Sequence, residues 1–192
     1  MSIIHLRDCP ALPWKNGMGR TRELAVHPAG AGIDDFLWRV SVAEVDSAAP
    51  FSPFPGIDRH IALLEGAGFT MTLDGQHAHA LTTPFAPFAF PGEARVAAHL
   101  HGGPTRDFNL MLRRGTVRGE LVTWEEPGRQ VVDDAVALLY CARGPIDTAE
   151  GRLHAGDAWL PDRLTGRVTL EPGALALVAR VESDGRPGPA FP

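Results

Sequence analysis

Lysine, tyrosine and cysteine are scarce in this chain of 192 residues. Lys15 is the only lysine, there is one tyrosine, and the two cysteines, Cys9 and Cys141, stand far apart with no second cysteine at metal-ligand spacing. This cysteine usage predicts reduced thiols in a cytoplasmic protein, with a disulfide between the two as the alternative. Positive charge comes almost wholly from arginine, which makes the single lysine conspicuous.

Long apolar runs and clusters of basic residues are absent as well. The N-terminus has no basic region followed by a continuous apolar run, which argues against a signal peptide, and no run is long enough to cross a bilayer. The net charge of -5 is not that of a nucleic-acid-binding surface. The composition predicts an ordinary soluble cytoplasmic protein whose partners include neither nucleic acid nor membrane.

Short apolar segments make up much of the chain. Segments such as "HIALLEG", "FTMTLDG" and "FNLMLRRG" have the length of a strand and end at Gly or Asp-Gly. Helical periodicity is scarce, so the pattern predicts an antiparallel all-β sandwich or barrel. Because the second half repeats the rhythm of the first, we predict two related barrel-like units, residues 1–114 and 115–192, packed as one compact body.

Alternation along three predicted strands separates polar from apolar residues. Arg39 and Ser41 share one face, Asp107 and Asn109 share another, and Arg59 falls on the same side as two apolar residues that follow it. A solvated sheet face is the ordinary explanation, because antiparallel sheets are often wet on one side. The alternative is a small cavity on which polar groups converge, since buried charges are tolerated only when paired or hydrogen-bonded.

Four ordered segments of the chain resemble the HutD/Ves family. They are "PWKNGMGRTRELAVHP", "FLWRVSVAEVDSAAPFSPFPGIDRHIALLEG", "FAFPGE" and "GGPTRDFNLMLRRG". The resemblance runs from about Pro13 to Gly115 and continues more loosely to the C-terminus. One departure is Met18, where many relatives carry glycine; we expect it only to stiffen the turn.

This resemblance implies a fold, a context and a ligand class. The fold is cupin-type (RmlC-like), with two double-stranded β-helix barrels in one chain (a bicupin), often assembled as a homodimer. The context is histidine utilisation in bacteria, and the ligand is a small acidic intermediate such as formylglutamate or urocanate. The resemblance implies no reaction, so whether the protein is an enzyme stays open.

Two histidine pairs raise the question of a metal, because cupins often hold one with two His on a strand, a later Glu and a further His. His77 and His79, like His99 and His101, have the pair spacing, but the first glutamate after His79 is Glu93, beyond a proline-rich stretch. The second-half segment "GDAWLPDRLTGRV" supplies no histidine. We therefore expect surface histidines and no metal or other cofactor.

The segment "WKNGMGRTRE" is interpreted as a lid or first strand that turns Lys15 and Asn16 into the mouth of the first barrel. Cations around a mostly apolar hollow favour a small carboxylate, because the arginine fork matches carboxylate geometry. In this hypothesis Asp107 holds an arginine in place, Asn109 and Ser41 orient the ligand, and aromatic residues, Phe108 among them, form the walls. The full candidate site is Trp14, Lys15, Asn16, Arg39, Ser41, Phe54, Arg59, Asp107 and Asn109.

Three functions are compatible with the sequence. The first is a protein that binds or senses an acidic metabolite. The second is a metal-free isomerase or lyase in which Lys15 or Asp107 acts as acid or base. The third is a metal-dependent oxygenase that uses the four paired histidines.

Overall fold

The computed structural model of the protein describes residues 3–14, 16–48, 50–161 and 166–185. Within these ranges the chain forms eighteen β-strands, one short 3-10 turn at Leu6–Asp8 and no α-helix. The predicted all-β class is confirmed. The segments "HIALLEG", "FTMTLDG" and "FNLMLRRG" each fall on a strand, because short apolar runs between turn residues bury best in a pleated sheet.

The chain divides into two compact units, an N-terminal unit (Ala11–Arg118 with Ser183–Pro192) and a C-terminal unit (Met1–Pro10 with Gly119–Glu182). This division differs from the predicted 1–114 and 115–192 mainly at the two termini. The first strand, β1 (Ile3–His5), pairs with a strand near the other end of the chain, Asp157–Trp159. Nothing local in the sequence reveals such a distant pairing.

The N-terminal unit contains two antiparallel sheets. The larger has six strands in the order β2 (Ala11–Pro13), β3 (Gly19–His27), β4 (Trp38–Val45), β10 (Thr105–Arg113), β5 (Ile57–Glu65) and β8 (Phe88–Pro91). The smaller has the order β7 (His77–Leu81), β6 (Phe69–Leu73) and β9 (Val96–Leu100). Across the described residues the two remain separate sheets.

An apolar cluster lies between these two sheets. Ile61 and Leu63 from β5 pack with Phe69 and Met71 from β6 and with Val96 from β9. Full burial of side chains of this size contributes roughly 1.5–3 kcal/mol each. The face of the six-stranded sheet that carries Ile61 and Leu63 is therefore its inner face, and we use that name below.

The C-terminal unit is also built from two sheets. One has the order β1, β16 (Asp157–Trp159), β13 (Val136–Arg143), β18 (Leu175–Ser183) and β11 (Val117–Trp124). The other has the order β12 (Gly128–Val132), β17 (Gly166–Leu170), β14 (Ile146–Thr148) and β15 (Gly151–Leu153). Its core is hydrocarbon together with Cys141 and Trp159, and neither Cys9 nor Cys141 is disulfide-bonded.

Candidate functional site

Cross-strand pairs at the centre of the six-stranded sheet place two predicted polar residues on its inner face. Asn109 on β10 pairs with Ile61 on β5, and Asp107 pairs with Leu63. Residues directly opposite one another on neighbouring strands project to the same side. Asn109 and Asp107 therefore point toward the inner side, as does Ser41, which pairs with Asn109 from the β4 side.

The next row of this face contains both predicted arginines. Met111 on β10 lies between Arg39 on β4 and Arg59 on β5. The register thus brings five of the nine candidate residues to one surface: Arg39, Ser41, Arg59, Asp107 and Asn109.

The Arg59 side chain is enclosed by aromatic rings. Its guanidinium carbon lies 5.2, 5.4 and 4.9 Å from the ring centroids of Phe51, Phe54 and Phe90. Cation–π contacts of this kind compensate part of the cost of removing the charge from water. Phe54, which the sequence assigned to a wall of the site, therefore contacts Arg59, as do Phe51 and Phe90.

Polar partners for Arg59 are few. The residue is 7% exposed, its Nη2 lies 3.5 Å from Asn109 Oδ1, and its Nε has no partner in the described part of the chain. Burial, with repulsion from Arg39, lowers the pKa of Arg59 to about 10. The guanidinium is still charged at neutral pH, and it keeps an unused donor.

Arg39 differs from Arg59 in having a counter-charge. Its Nε donates a hydrogen bond of 2.7 Å to Glu23 Oε2, and Glu23 pairs with Ser41 in the register of β3 and β4. Among the described residues Arg59 has no such ion pair. The uncompensated positive charge of this face is therefore that of Arg59.

Asp107 is the most deeply buried charged residue of the site. It is 1% exposed, its Oδ2 accepts a 3.3 Å hydrogen bond from Thr105 Oγ1, and its Oδ1 has no partner within the described ranges. Burial raises the pKa of Asp107 to about 7, against the opposing effect of the Thr105 hydrogen bond. The predicted role of holding an arginine is wrong, because Asp107 lies two rows from Met111, the residue opposite both arginines.

The opening motif places its tryptophan at the edge of this face. Trp14 Nε1 donates a 2.8 Å hydrogen bond to Thr21 Oγ1, and Thr21 pairs with Ala43, the β4 neighbour of Asp107. A Cβ at Gly19 would lie 2.5 Å from the Glu44 carbonyl oxygen and 3.0 Å from the Trp14 ring. Glycine at this position therefore allows the ring and the backbone to approach closely.

Of the other two predicted residues of the motif, the structure describes only Asn16. Lys15 lies outside the described residues. Asn16 is exposed, and its Oδ1 accepts a 3.0 Å hydrogen bond from the Met18 amide. Its side chain stabilises the turn, so the prediction that Asn16 points into the barrel mouth is wrong.

Phe108 does not form a wall, since it pairs with Val42 and Ala62 on the side opposite to Asp107. Three residues that contact the site are not among the residues predicted from the sequence: Phe51, Phe90 and Thr105. Phe51 could have been found, because "FSPFPG" places it three positions before Phe54. Phe90 could not, because the pairing of β5 with β8 is invisible in the sequence.

The four paired histidines do not form a metal centre. His77, His99 and His101 are exposed, whereas His79 is half-buried and stacks on Phe88 with ring centroids 3.6 Å apart. Burial lowers the pKa of His79. In the part of the chain that the structure describes, no group of three His, Cys, Asp or Glu side chains is arranged to hold a metal ion.

A surface depression of about 230 Å³ opens at the end of the six-stranded sheet. Its lining is Arg20, Glu44, Asp46, Glu65, Gly66, Pro104, Thr105 and Arg106. Both arginines of this lining are ion-paired to glutamates within it. The depression therefore offers largely neutralised charge, whereas the inner face offers unpaired donors and acceptors; Thr105 belongs to both, since its hydroxyl contacts Asp107.

A comparison with known families agrees with the resemblance seen in the motifs. The HutD family model matches residues 6–177. The chain belongs to the HutD family. An uncharacterized 21.2 kDa protein in the hutC 3' region of Pseudomonas putida is 36% identical over 149 residues, which cover 78% of this chain and 77% of that protein. A protein Ves of Citrobacter koseri is 37% identical over 162 residues, covering 83% and 78%.

Solved structures place the HutD fold among cupin-like folds. HutD from Pseudomonas fluorescens, solved in a formate condition, has a TM-score of 0.84 at 30% identity and covers 96% of this chain and 99% of that one. An oxalate decarboxylase from Lactobacillus farciminis has a TM-score of 0.65 at 8% identity, covering 96% and 88%, and shares the fold alone. None of the described segments is a helix long and apolar enough to span a bilayer.

Proposed function

We propose that this HutD family member binds or senses a small carboxylate metabolite on the inner face of its N-terminal unit. Arg59 binds the carboxylate through its unused Nε and a neighbouring guanidinium N–H, as an arginine fork does. Asn109 and Ser41 orient the ligand, Trp14 and the phenylalanines form walls, and Arg39 reinforces the positive potential. Lys15 is retained as a predicted further cation.

The observation that carries this proposal is the unpartnered Nε of Arg59, a charged side chain that is only 7% exposed. A buried donor without a partner costs about 1–3 kcal/mol, and such a group in a native protein calls for an explanation. A carboxylate that supplies the missing acceptor and the missing negative charge removes that cost. The aromatic rings around the guanidinium exclude water, which strengthens the resulting ion pair.

The HutD family membership suggests which carboxylates to test. One relative is described by its position in a hutC 3' region, and a HutD structure was solved in a formate condition. We propose an association with histidine utilisation, with formylglutamate, urocanate or a related acid as ligand. We further propose that the two units are the barrels of a bicupin and that the protein acts as a cytoplasmic homodimer.

The test is calorimetric titration of the wild-type protein with formate, formylglutamate and urocanate. Arg59→Met places an apolar side chain between the rings, and it should weaken binding by roughly 30-fold or more because one charged partner is removed. Arg95→Met is the matched control, because the Arg95 side chain is 87% exposed. Absence of heat with all three acids, or equal affinity in Arg59→Met, contradicts the proposal.

A second candidate function is a metal-free isomerase or lyase, and one observation favours it. The pKa of Asp107, raised by burial to about 7, is suited to proton transfer near neutral pH. Incubation of each acid with the protein followed by mass spectrometry tests this candidate. A change in mass, or deuterium uptake from heavy water, that is lost in Asp107→Asn supports an enzyme, and an unchanged acid supports binding alone.

A further inference from the structure

Besides Arg59 Nε, the inner face carries a second buried polar atom without a hydrogen-bond partner among the described residues, the Oδ1 atom of Asp107. Its carboxyl is 1% exposed, and Thr105 satisfies Oδ2 but leaves Oδ1 without a partner among the described residues. The cross-strand neighbours of Asp107 are Ala43 and Leu63, and neither can donate a hydrogen bond from its side chain. A carboxylate bound to Arg59 supplies no hydrogen-bond donor to Asp107 Oδ1.

The two unpartnered atoms, Arg59 Nε and Asp107 Oδ1, lie on either side of Asn109 along the inner face. Asn109 stands between them: its Oδ1 is 3.5 Å from Arg59 Nη2, and its Nδ2 donates to the Asp107 backbone oxygen at 3.3 Å. Asp107 and Asn109 are two residues apart on one strand, which separates their side chains by about 7 Å. Because Arg59 Nη2 lies beside Asn109, a small molecule that lies along Asn109 can contact Arg59 at one end and Asp107 Oδ1 at the other.

We infer that the ligand is bipolar, with its carboxylate on Arg59 and an N–H group at its other end that donates to Asp107 Oδ1. This inference rests on the proposed function, because it assumes that a carboxylate occupies Arg59. It names the ligand class as acids that carry an amine, imidazole or amide N–H at the end of the molecule remote from the carboxylate.

The hydrogen bond from Thr105 favours an N–H donor over an acceptor at this end. A hydroxyl that donates to Oδ2 uses the carboxyl group as an acceptor and stabilises its ionised form. An ionised Asp107 opposite a cationic or N–H group, together with Arg59 opposite a carboxylate, leaves no buried charge without a counterpart. A ligand whose only polar group is a carboxylate gives Arg59 a partner but leaves Asp107 Oδ1 without a hydrogen bond.

The experiment compares two probes that differ only at the remote end. In 4-aminobutanoate an ammonium group stands where pentanoate has a methyl group. Wild-type protein, Asp107→Asn and the control Asp58→Asn are titrated by calorimetry with both probes and with formate. Asp58 lies on the same sheet, but its side chain is 45% exposed and pairs with Arg114.

We expect 4-aminobutanoate to bind the wild type at least about tenfold more tightly than pentanoate, the effect of one charge-assisted hydrogen bond. The ratio falls to near one in Asp107→Asn and is kept in Asp58→Asn. A wild-type ratio near one with formate still bound overturns the inference and leaves the proposed function intact. An affinity ratio that stays near tenfold in Asp107→Asn also overturns the inference. If the wild-type protein does not bind formate, both the proposed function and this inference fail.

A measurement on the wild type alone covers the case in which Asp107→Asn does not fold. A crystal structure of the complex with 4-aminobutanoate should place its nitrogen within about 3 Å of Asp107 Oδ1. A nitrogen directed to solvent overturns the inference.

Discussion

Arg59 Nη2 lies 3.5 Å from Asn109 Oδ1, at the long limit of a hydrogen bond, while Arg59 Nε has no partner among the described residues. A buried cation held this loosely is poorly stabilised by the protein itself. Functional sites often retain such groups at a cost in stability. We therefore expect Arg59 to lower the stability of the ligand-free protein while it contributes to ligand binding.

The variant Arg59→Met tests that opposition through stability. Replacing a buried, uncompensated charge with an apolar side chain of similar length should raise the free energy of unfolding by about 1–3 kcal/mol. Urea unfolding of both proteins without ligand measures the change. A decrease of similar size would mean that Arg59 serves the fold, through its three aromatic contacts, rather than a ligand.

The pH dependence of stability tests the burial of Asp107. In the unfolded chain this carboxyl titrates near its ordinary value of 3.8, and in the folded protein near 7. Between these values only the folded state holds the proton, so stability is present at low pH and is lost as the pH rises through 7.

Asp107→Asn removes that titration and leaves the other ionisable groups in place. The free energy of unfolding of the variant minus that of the wild type should grow by a few kcal/mol between pH 4 and pH 8. Urea unfolding at several pH values measures this difference. A difference that is flat with pH would show that Asp107 is ionised at every pH tested and is therefore paired.

The variant Gly19→Ala tests whether the position of the Trp14 ring matters for stability and binding. An added methyl group would meet the Glu44 carbonyl oxygen at 2.5 Å and the Trp14 ring at 3.0 Å. Gly19→Ala should lower the free energy of unfolding by about 1–3 kcal/mol and weaken formate binding, because the ring must move.

Gly102→Ala is the control for that variant, since a Cβ at Gly102 has only an ordinary contact of 3.5 Å with the Ala67 side chain. Equal behaviour of the two variants in unfolding and in formate titration would show that the Trp14 position is not fixed by this contact.

The histidine pairs give a prediction about metals. Three of the four rings are exposed and the fourth stacks on Phe88, so treatment with a chelator should change neither the melting temperature nor formate affinity. Elemental analysis of the purified protein is the direct check. A stoichiometric metal whose removal abolishes binding would favour the oxygenase hypothesis.

Local pattern predicted much of the fold and part of the site. Alternation assigned Arg59 to the side of its apolar neighbours and Asp107 and Asn109 to one face, and the register agrees. These predictions succeeded because side-chain direction in a strand follows from position alone. The family resemblance supplied the cupin-like fold, which alternation could not.

Other features depend on contacts between distant segments. The pairing of β1 with β16 moves the first residues to the C-terminal unit, and the pairing of β5 with β8 brings Phe90 opposite Arg59. The side-chain oxygen of Asn16 bonds locally to Met18, although its motif suggested a ligand-binding role. Sequence spacing alone specifies neither long-range pairing nor the choice between a turn and a ligand.

A crystal structure of the protein soaked in formate shows directly whether Arg59 binds a carboxylate. We expect a formate ion with an oxygen within about 3 Å of Arg59 Nε, surrounded by Phe51, Phe54 and Phe90. Formate found only in the depression beside Arg20 and Arg106, with Arg59 Nε still unpartnered, would contradict it.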